Sequence, residues 1–153
     1  MLNKISMRAL GVLAGVAMIV GPVYAAEEAG VVKVSKGTAN IERSAQKQAA
    51  TVGAKVFASD RVVTGADGSV GITLRDNTML SAGPNSTLEL NKFAFDSTTH
   101  AGTIDASVKR GTLSVISGKI AKATPENIRY TTPTVTLGVR GTEFVIDAGQ
   151  QGE

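Results

Sequence analysis

Thr131-Thr-Pro-Thr-Val-Thr-Leu-Gly-Val-Arg-Gly-Thr-Glu-Phe-Val-Ile146 is the stretch from which the fold reads outward. It contains two runs of alternating β-branched and apolar residues, 134–137 and 142–146, separated by Gly138-Val139-Arg140-Gly141. Such alternation places every second side chain on one face of a strand. The two glycines are expected to take the positive φ angles of a sharp bend or bulge. Arg140, caught between them with apolar neighbours, is expected to reach a carboxylate or several carbonyls inside the fold, because an unpaired buried guanidinium is strongly unfavourable. The alternative is that Arg140 is presented to an anionic ligand.

The same period of two runs back through the chain. Val32 and Val34 alternate before Gly37, and Ala39 and Ile41 after it, which predicts a hairpin. Residues 44–50 are polar and Gln/Ala-rich and read as a loop. Residues 53–65 carry two short strands joined at Ser59-Asp60, where Asp60 suits an Asx-turn. Val70, Ile72 and Leu74 lead into Asp76-Asn77, which predicts a two-residue hairpin turn. Leu88, Leu90, Phe93 and Phe95 continue the pattern, and 103–108 and 111–116 add two more strands. Turns about every 8–12 residues predict an all-β domain of many short, antiparallel-type strands in a rolled sheet, sandwich or solenoid-like arrangement. The last strand, comprising Thr142, Glu143, Phe144, Val145 and Ile146, has no returning partner after it. It is expected to be an edge, either blunted by Asp147 and Glu153 or paired with another chain.

At the other end, Lys4 and Arg8 precede an uncharged apolar run over residues 9–20, followed by Gly21-Pro22 and the small-residue site Val23-Tyr24-Ala25. This pattern predicts a signal peptide over 1–25, with an uncleaved anchor as the alternative, since the run is short of the roughly 20 residues of a membrane span. Residues 26–153 are then one periplasmic domain with no membrane span. Removing Lys4 and Arg8 lowers the net charge from +3 to about +1. The remaining cations are scattered singly, which argues against nucleic acid and anionic lipid as partners. With no cysteine, the fold must rest on apolar packing and strand pairing.

Little in the sequence suggests an enzyme. The single histidine, His100, lies in the polar loop 96–102 with no second ligand-type residue at a metal or triad spacing. Gly118-Lys119 lacks the preceding glycine and the following hydroxyl residue of a phosphate loop. Asp60, Asp67 and Asp76 form a calcium-type set only if they converge, and each is already explained by its turn. No metal and no cofactor is expected. Asp60 or Asp76 is instead the expected ion-pair partner of Arg140. Phe57, Phe93, Phe95 and Phe144 occupy alternating positions suited to a core, and the absence of tryptophan counts against a sugar cleft.

Taken in order, Gly30-x-Val32-x-Val34-x-x-Gly37, Val56-Phe57-x-x-Asp60-Arg61-Val62-x-Thr64-Gly65 and Val70-x-Ile72-x-Leu74-x-Asp76 resemble the FecR domain. The resemblance continues through Leu80-x-x-Gly83-Pro84, Ser86-x-Leu88-x-Leu90, Gly111-x-Leu113-x-Val115, Thr132-Pro133 and Gly138-Val139-Arg140-Gly141-Thr142-x-Phe144. It implies an extracytoplasmic all-β module, known in sigma-factor regulators that receive a signal from an outer-membrane transporter. With about eight residues ahead of the apolar run, the resemblance is expected to carry over the fold and compartment but not sigma-factor regulation. The expected function is a non-enzymatic binding or scaffold module that engages an envelope protein or itself through strand edges. The alternative is a module for an envelope glycan or small anionic ligand, with Arg140, Lys119 and Lys122 supplying positive charge.

Overall fold

In the computed structural model, which describes residue 21 and residues 26–150, alternating burial along the strands divides the chain between two sheets. The strands begin with β1 (Glu28–Lys36), β2 (Ala39–Arg43), β3 (Gln46–Ala49), β4 (Lys55–Phe57), β5 (Arg61–Thr64), β6 (Ser69–Leu74) and β7 (Met79–Ala82). They continue with β8 (Thr87–Phe95), β9 (Gly102–Arg110), β10 (Thr112–Ile116), β11 (Ile128–Thr131), β12 (Thr136–Gly138) and β13 (Glu143–Asp147). A single-turn helix, α1 (Lys119–Ala123), and a 3₁₀ turn at Pro125–Asn127 lie between β10 and β11. One sheet has the order β13-β10-β7-β6-β1-β4 and the other β12-β11-β9-β8-β5-β2-β3. The fold is therefore all-β. The expected signal peptide and its cleavage site fall on residues outside the described ones, apart from Gly21.

All pairings are antiparallel except β9 with β11. Parallel neighbours need a crossover, which here consists of β10, α1 and the 3₁₀ turn. The inward residues of both sheets, among them Val32, Ile41, Val62, Ile72, Leu80, Leu88, Ile104 and Leu113, form one buried cluster. Each such side chain contributes about 1.5–3 kcal/mol on burial. A polar tie joins the sheets at one corner. Thr64 Oγ1 donates to the Gly83 carbonyl at 2.6 Å and accepts from Ser86 N–H at 2.9 Å, while Ser86 Oγ accepts from Thr112 N–H at 3.0 Å.

Three local expectations are overturned. The predicted hairpin around Gly37 is a corner between sheets: β1 pairs with β4 and β6, and β2 with β3 and β5. Gly37 turns at φ +59°, and Thr38 N–H donates to Asp67 Oδ1 at 3.3 Å, so the corner sits on the 65–68 turn. Period two reports that a segment is a strand, and it does not report which sheet the strand joins. The predicted loop at 44–50 contains β3, returned by Ser44 and Ala45 at φ 49° and 63°, angles of a tight type I′ hairpin turn. All four β3 residues are exposed, so no apolar alternation marks the strand. Four residues, 75–78, lie between β6 and β7, three of them inside the closing Leu74–Thr78 hydrogen bond, rather than the two expected. Leu74 N–H donates to the Thr78 carbonyl, and Asn77 is left-handed at φ 67°.

Of the four phenylalanines expected in the core, Phe93 is buried, while Phe57, Phe95 and Phe144 are half-buried. The largest fully buried side chain is Tyr130, whose ring meets Phe144 edge-on at 5.4 Å between centroids and 70°. Burial raises the Tyr130 phenol pKa well above its usual range, and the nearby Asp76 charge adds to the shift. The folded state thus holds a proton that the unfolded chain loses near pH 10. The stabilisation is complete below about pH 10 and is lost as pH rises from there through the higher folded-state value. Urea midpoints measured between about pH 8 and 11 should fall on the alkaline side, and Tyr130→Phe should flatten that fall.

Candidate functional site

The structure gives Asp60 and Asp76 partners other than Arg140. Asp60 is fully buried, and its carboxylate accepts Arg43 Nε at 2.7 Å, Arg43 Nη2 at 2.6 Å and Phe57 N–H at 2.8 Å. The Arg43 guanidinium also lies 4.4 Å from the centre of the Phe57 ring. Its hydrogen bond to Asp60 outweighs burial and holds its pKa above the ordinary arginine value. Asp76 is equally buried and satisfied by neutral donors. Thr78 N–H reaches Oδ1 at 3.0 Å, and the Thr78 hydroxyl and Ile120 N–H reach Oδ2 at 2.7 and 3.2 Å. Gly118 packs so closely on this turn that a Cβ there would collide with the Asp76 carbonyl.

Arg140 is exposed, while its neighbour Val139, 8% exposed, takes the inward direction in the segment between β12 and β13. Gly138 and Gly141 depart from expectation as well. Neither takes a positive φ, and a Cβ built on either meets nothing within 4 Å. The fold does not require glycine at these two positions.

What this segment does is carry the chain from the edge of one sheet to the edge of the other, since β12 and β13 are both outermost strands. Among the described residues β13 pairs only with β10, from Thr112 opposite Asp147 to Ile116 opposite Glu143. Ser117 N–H donates to the Thr142 carbonyl in the same register, so residues 142, 144 and 146 turn their backbone groups toward β10. Glu143, Val145 and Asp147 turn theirs away, toward the open side. Val145 is 68% exposed, the highest value among the exposed large apolar side chains of the described residues. A cavity of about 360 Å³ opens along this edge between Leu137, Val139, Arg140 and Phe144. A second, of about 390 Å³, lies between α1 and the same segment and brings Arg140 and Lys122 together with Ser117 and Thr142; Lys119 is not in its lining.

A larger opening, about 730 Å³, lies elsewhere, over Glu42, Lys47, Arg61, Glu89 and Asn91. Its two acids are already paired, while Lys47 forms no ion pair among the described residues. Arg61 bridges Glu89 and Glu42, and Lys109 lies 3.7 Å from Glu89. His100 is exposed at the β8–β9 tip and stacks on Phe95 at 6.2 Å. Among the described residues no group of three histidine, cysteine or carboxylate side chains gathers as a metal site, and no helix is long and apolar enough to cross a membrane.

The edge strand expected at 142–146 is β13, Glu143–Asp147, with Thr142 just ahead of it, and nothing in the sequence pattern points to Arg43. Its partnership with Asp60 depends on the β2–β3 turn, which carries no hydrophobic signal. Arg43→Ala should destabilise the fold by about 2–3 kcal/mol, less than the ~3–5 of a fully buried pair because Arg43 is 38% exposed. Arg140→Ala, by contrast, should change stability by less than about 0.5 kcal/mol in denaturant titrations. Gly138→Ala and Gly141→Ala should leave the melting temperature unchanged or slightly raised, since a compatible Gly→Ala change stabilises by about 0.4–1 kcal/mol through the unfolded chain.

No curated protein and no solved structure matches this chain. A family model does: that of FecR protein, over residues 60–153. The match runs from the buried Asp60 through the crossover and both edge strands, covers more than half of the chain, and shows that the protein belongs to the FecR family.

Proposed function

We propose that this chain is a non-enzymatic envelope module of the FecR family that binds by accepting a strand at the β13 edge, from an envelope protein or from a second copy. In this reading residues 1–25 direct export and are removed, and residues 26–153 act in the periplasm. The observation that carries it is the contrast among the four sheet edges. β4 and β12 have three residues each, and β3 has four polar or small, exposed residues including Lys47, all ordinary ways of discouraging strand addition. β13 has five residues, with outward backbone donors and the exposed Val145. The glycines beside it, which the fold does not need, leave room for another backbone to approach.

The cavity holding Arg140 and Lys122 supports a second reading, a site for a small anion or the acidic group of a glycan. Arg140→Ala would abolish such binding without touching the β13 ladder.

Val145→Pro tests the first reading. It removes a donor that faces away from β10 and leaves the β10 ladder its own bonds. Light scattering of the purified protein across concentrations, with capture from envelope extract alongside, should show a self-associated species or a retained partner that Val145→Pro eliminates while the far-UV spectrum is kept. A strict monomer whose captured proteins are the same with and without the proline overturns the reading.

A further inference from the structure

The charges flanking Val145 indicate what kind of strand the edge takes. On the outer face of its sheet, β13 presents Glu143, Val145 and Asp147, whose cross-strand neighbours on β10 are Ile116, Ser114 and Thr112. Neither acid has a cation opposite it, and neither forms an ion pair among the described residues. Asp147 accepts only Gly149 N–H, at 2.8 Å, within its own turn. The next strands inward add no charge: their outer-face residues in the two central rows are Ile116, Met79 and Thr73, then Ser114, Ser81 and Gly71. The other sheet behaves oppositely. Glu42 and Glu89 are matched across strands by Arg61 and Lys109, and Asn91 donates to Asp105 at 3.0 Å. Opposite charges facing each other across strands stabilise a sheet, and like charges weaken it. The two carboxylates of β13 therefore lack partners on the one side where a strand is still missing.

A second copy supplies the wrong charges. Antiparallel pairing centred on Val145 gives the longest overlap and sets Glu143 of each copy against Asp147 of the other, placing like charges together twice. Resting on the strand-addition reading above, we propose that the occupant of the β13 edge is an extended segment of a different protein, with an apolar residue opposite Val145 and Lys or Arg two residues to either side. The intervening residues face the inner side, where Phe144 is half-buried beside the cavity between Leu137 and Val139, so an apolar side chain fits there. The recognition pattern is basic-apolar-apolar-apolar-basic.

The probes are two blocked, fluorescently labelled heptapeptides, Thr-Lys-Ile-Val-Ile-Lys-Thr and Thr-Glu-Ile-Val-Ile-Glu-Thr, titrated with protein purified from the envelope. The basic peptide should bind at least about fivefold more tightly, as two cross-strand ion pairs allow. Added salt should narrow the gap, and Glu143→Lys, an exposed substitution, should shrink or reverse it. Equal binding of both peptides, lost in Val145→Pro, would leave strand addition standing and overturn the basic partner. A dimer that the basic peptide displaces would show that a second copy is the occupant, which also overturns it. Binding of neither peptide, or binding that Val145→Pro does not alter, would remove strand addition at β13 and this inference with it.

Discussion

The arrangement of the second half of the chain depends on the hydrogen bonds of the Asp76 carboxylate. This buried carboxylate forms no ion pair among the described residues and is held by Thr78 and by the amide of Ile120. A buried carboxylate is tolerated only when its lone pairs are filled. The loop between β6 and β7 is thereby bonded to the start of α1, and Lys119 N–H adds a bond to the Asp76 carbonyl. α1 in turn buries Ile120, and the chain that leaves it returns as β11 in parallel beside β9. The position of β11 sets that of β12, and the segment from β12 delivers β13 to the opposite sheet. The candidate edge is thus held in place by polar contacts more than 20 residues earlier in the chain.

The two sheets differ in how their outer faces treat charge. One carries a cross-strand ladder centred on Arg61 and Glu89; the central strands of the other carry hydroxyls, a glycine, Met79 and Ile116. Surface ion pairs contribute little stability, typically below 1 kcal/mol each. Their effect here is on what the face will accept: Glu42 and Glu89, already paired, offer little for a partner to neutralise. The acids of β13 differ in this from Glu42 and Glu89, which meet Arg61 and Lys109 across neighbouring strands.

Much of this was legible in the sequence, and for a physical reason. Strands buried on one face must alternate, so Val70-Ile72-Leu74 and Leu88-Leu90 marked themselves, and so did the terminal edge at 142–146. What alternation does not encode is which sheet a strand enters, so it does not distinguish the Gly37 corner from a hairpin. β3 was invisible because its stability comes from backbone pairing and a left-handed turn at Ser44-Ala45, neither of which needs apolar residues. The Arg140 expectation failed on direction: between the two glycines it is Val139 that turns inward, and Arg140 faces out. The pairing of Asp60 with Arg43 was hidden behind the same unrecognised turn.

Only the links β2–β3, β6–β7, β8–β9 and β11–β12 join strand neighbours within a sheet; every other connection takes the chain from one sheet to the other. Neither sheet can then be completed before the other is well advanced. Folding must close many loops between residues distant in sequence before most contacts reward it, which places the domain among slow folders on a scale of milliseconds to seconds. The same interleaving argues for a single cooperative unfolding transition. A break almost anywhere along the chain would leave both sheets unfinished, and neither would survive as an independent piece.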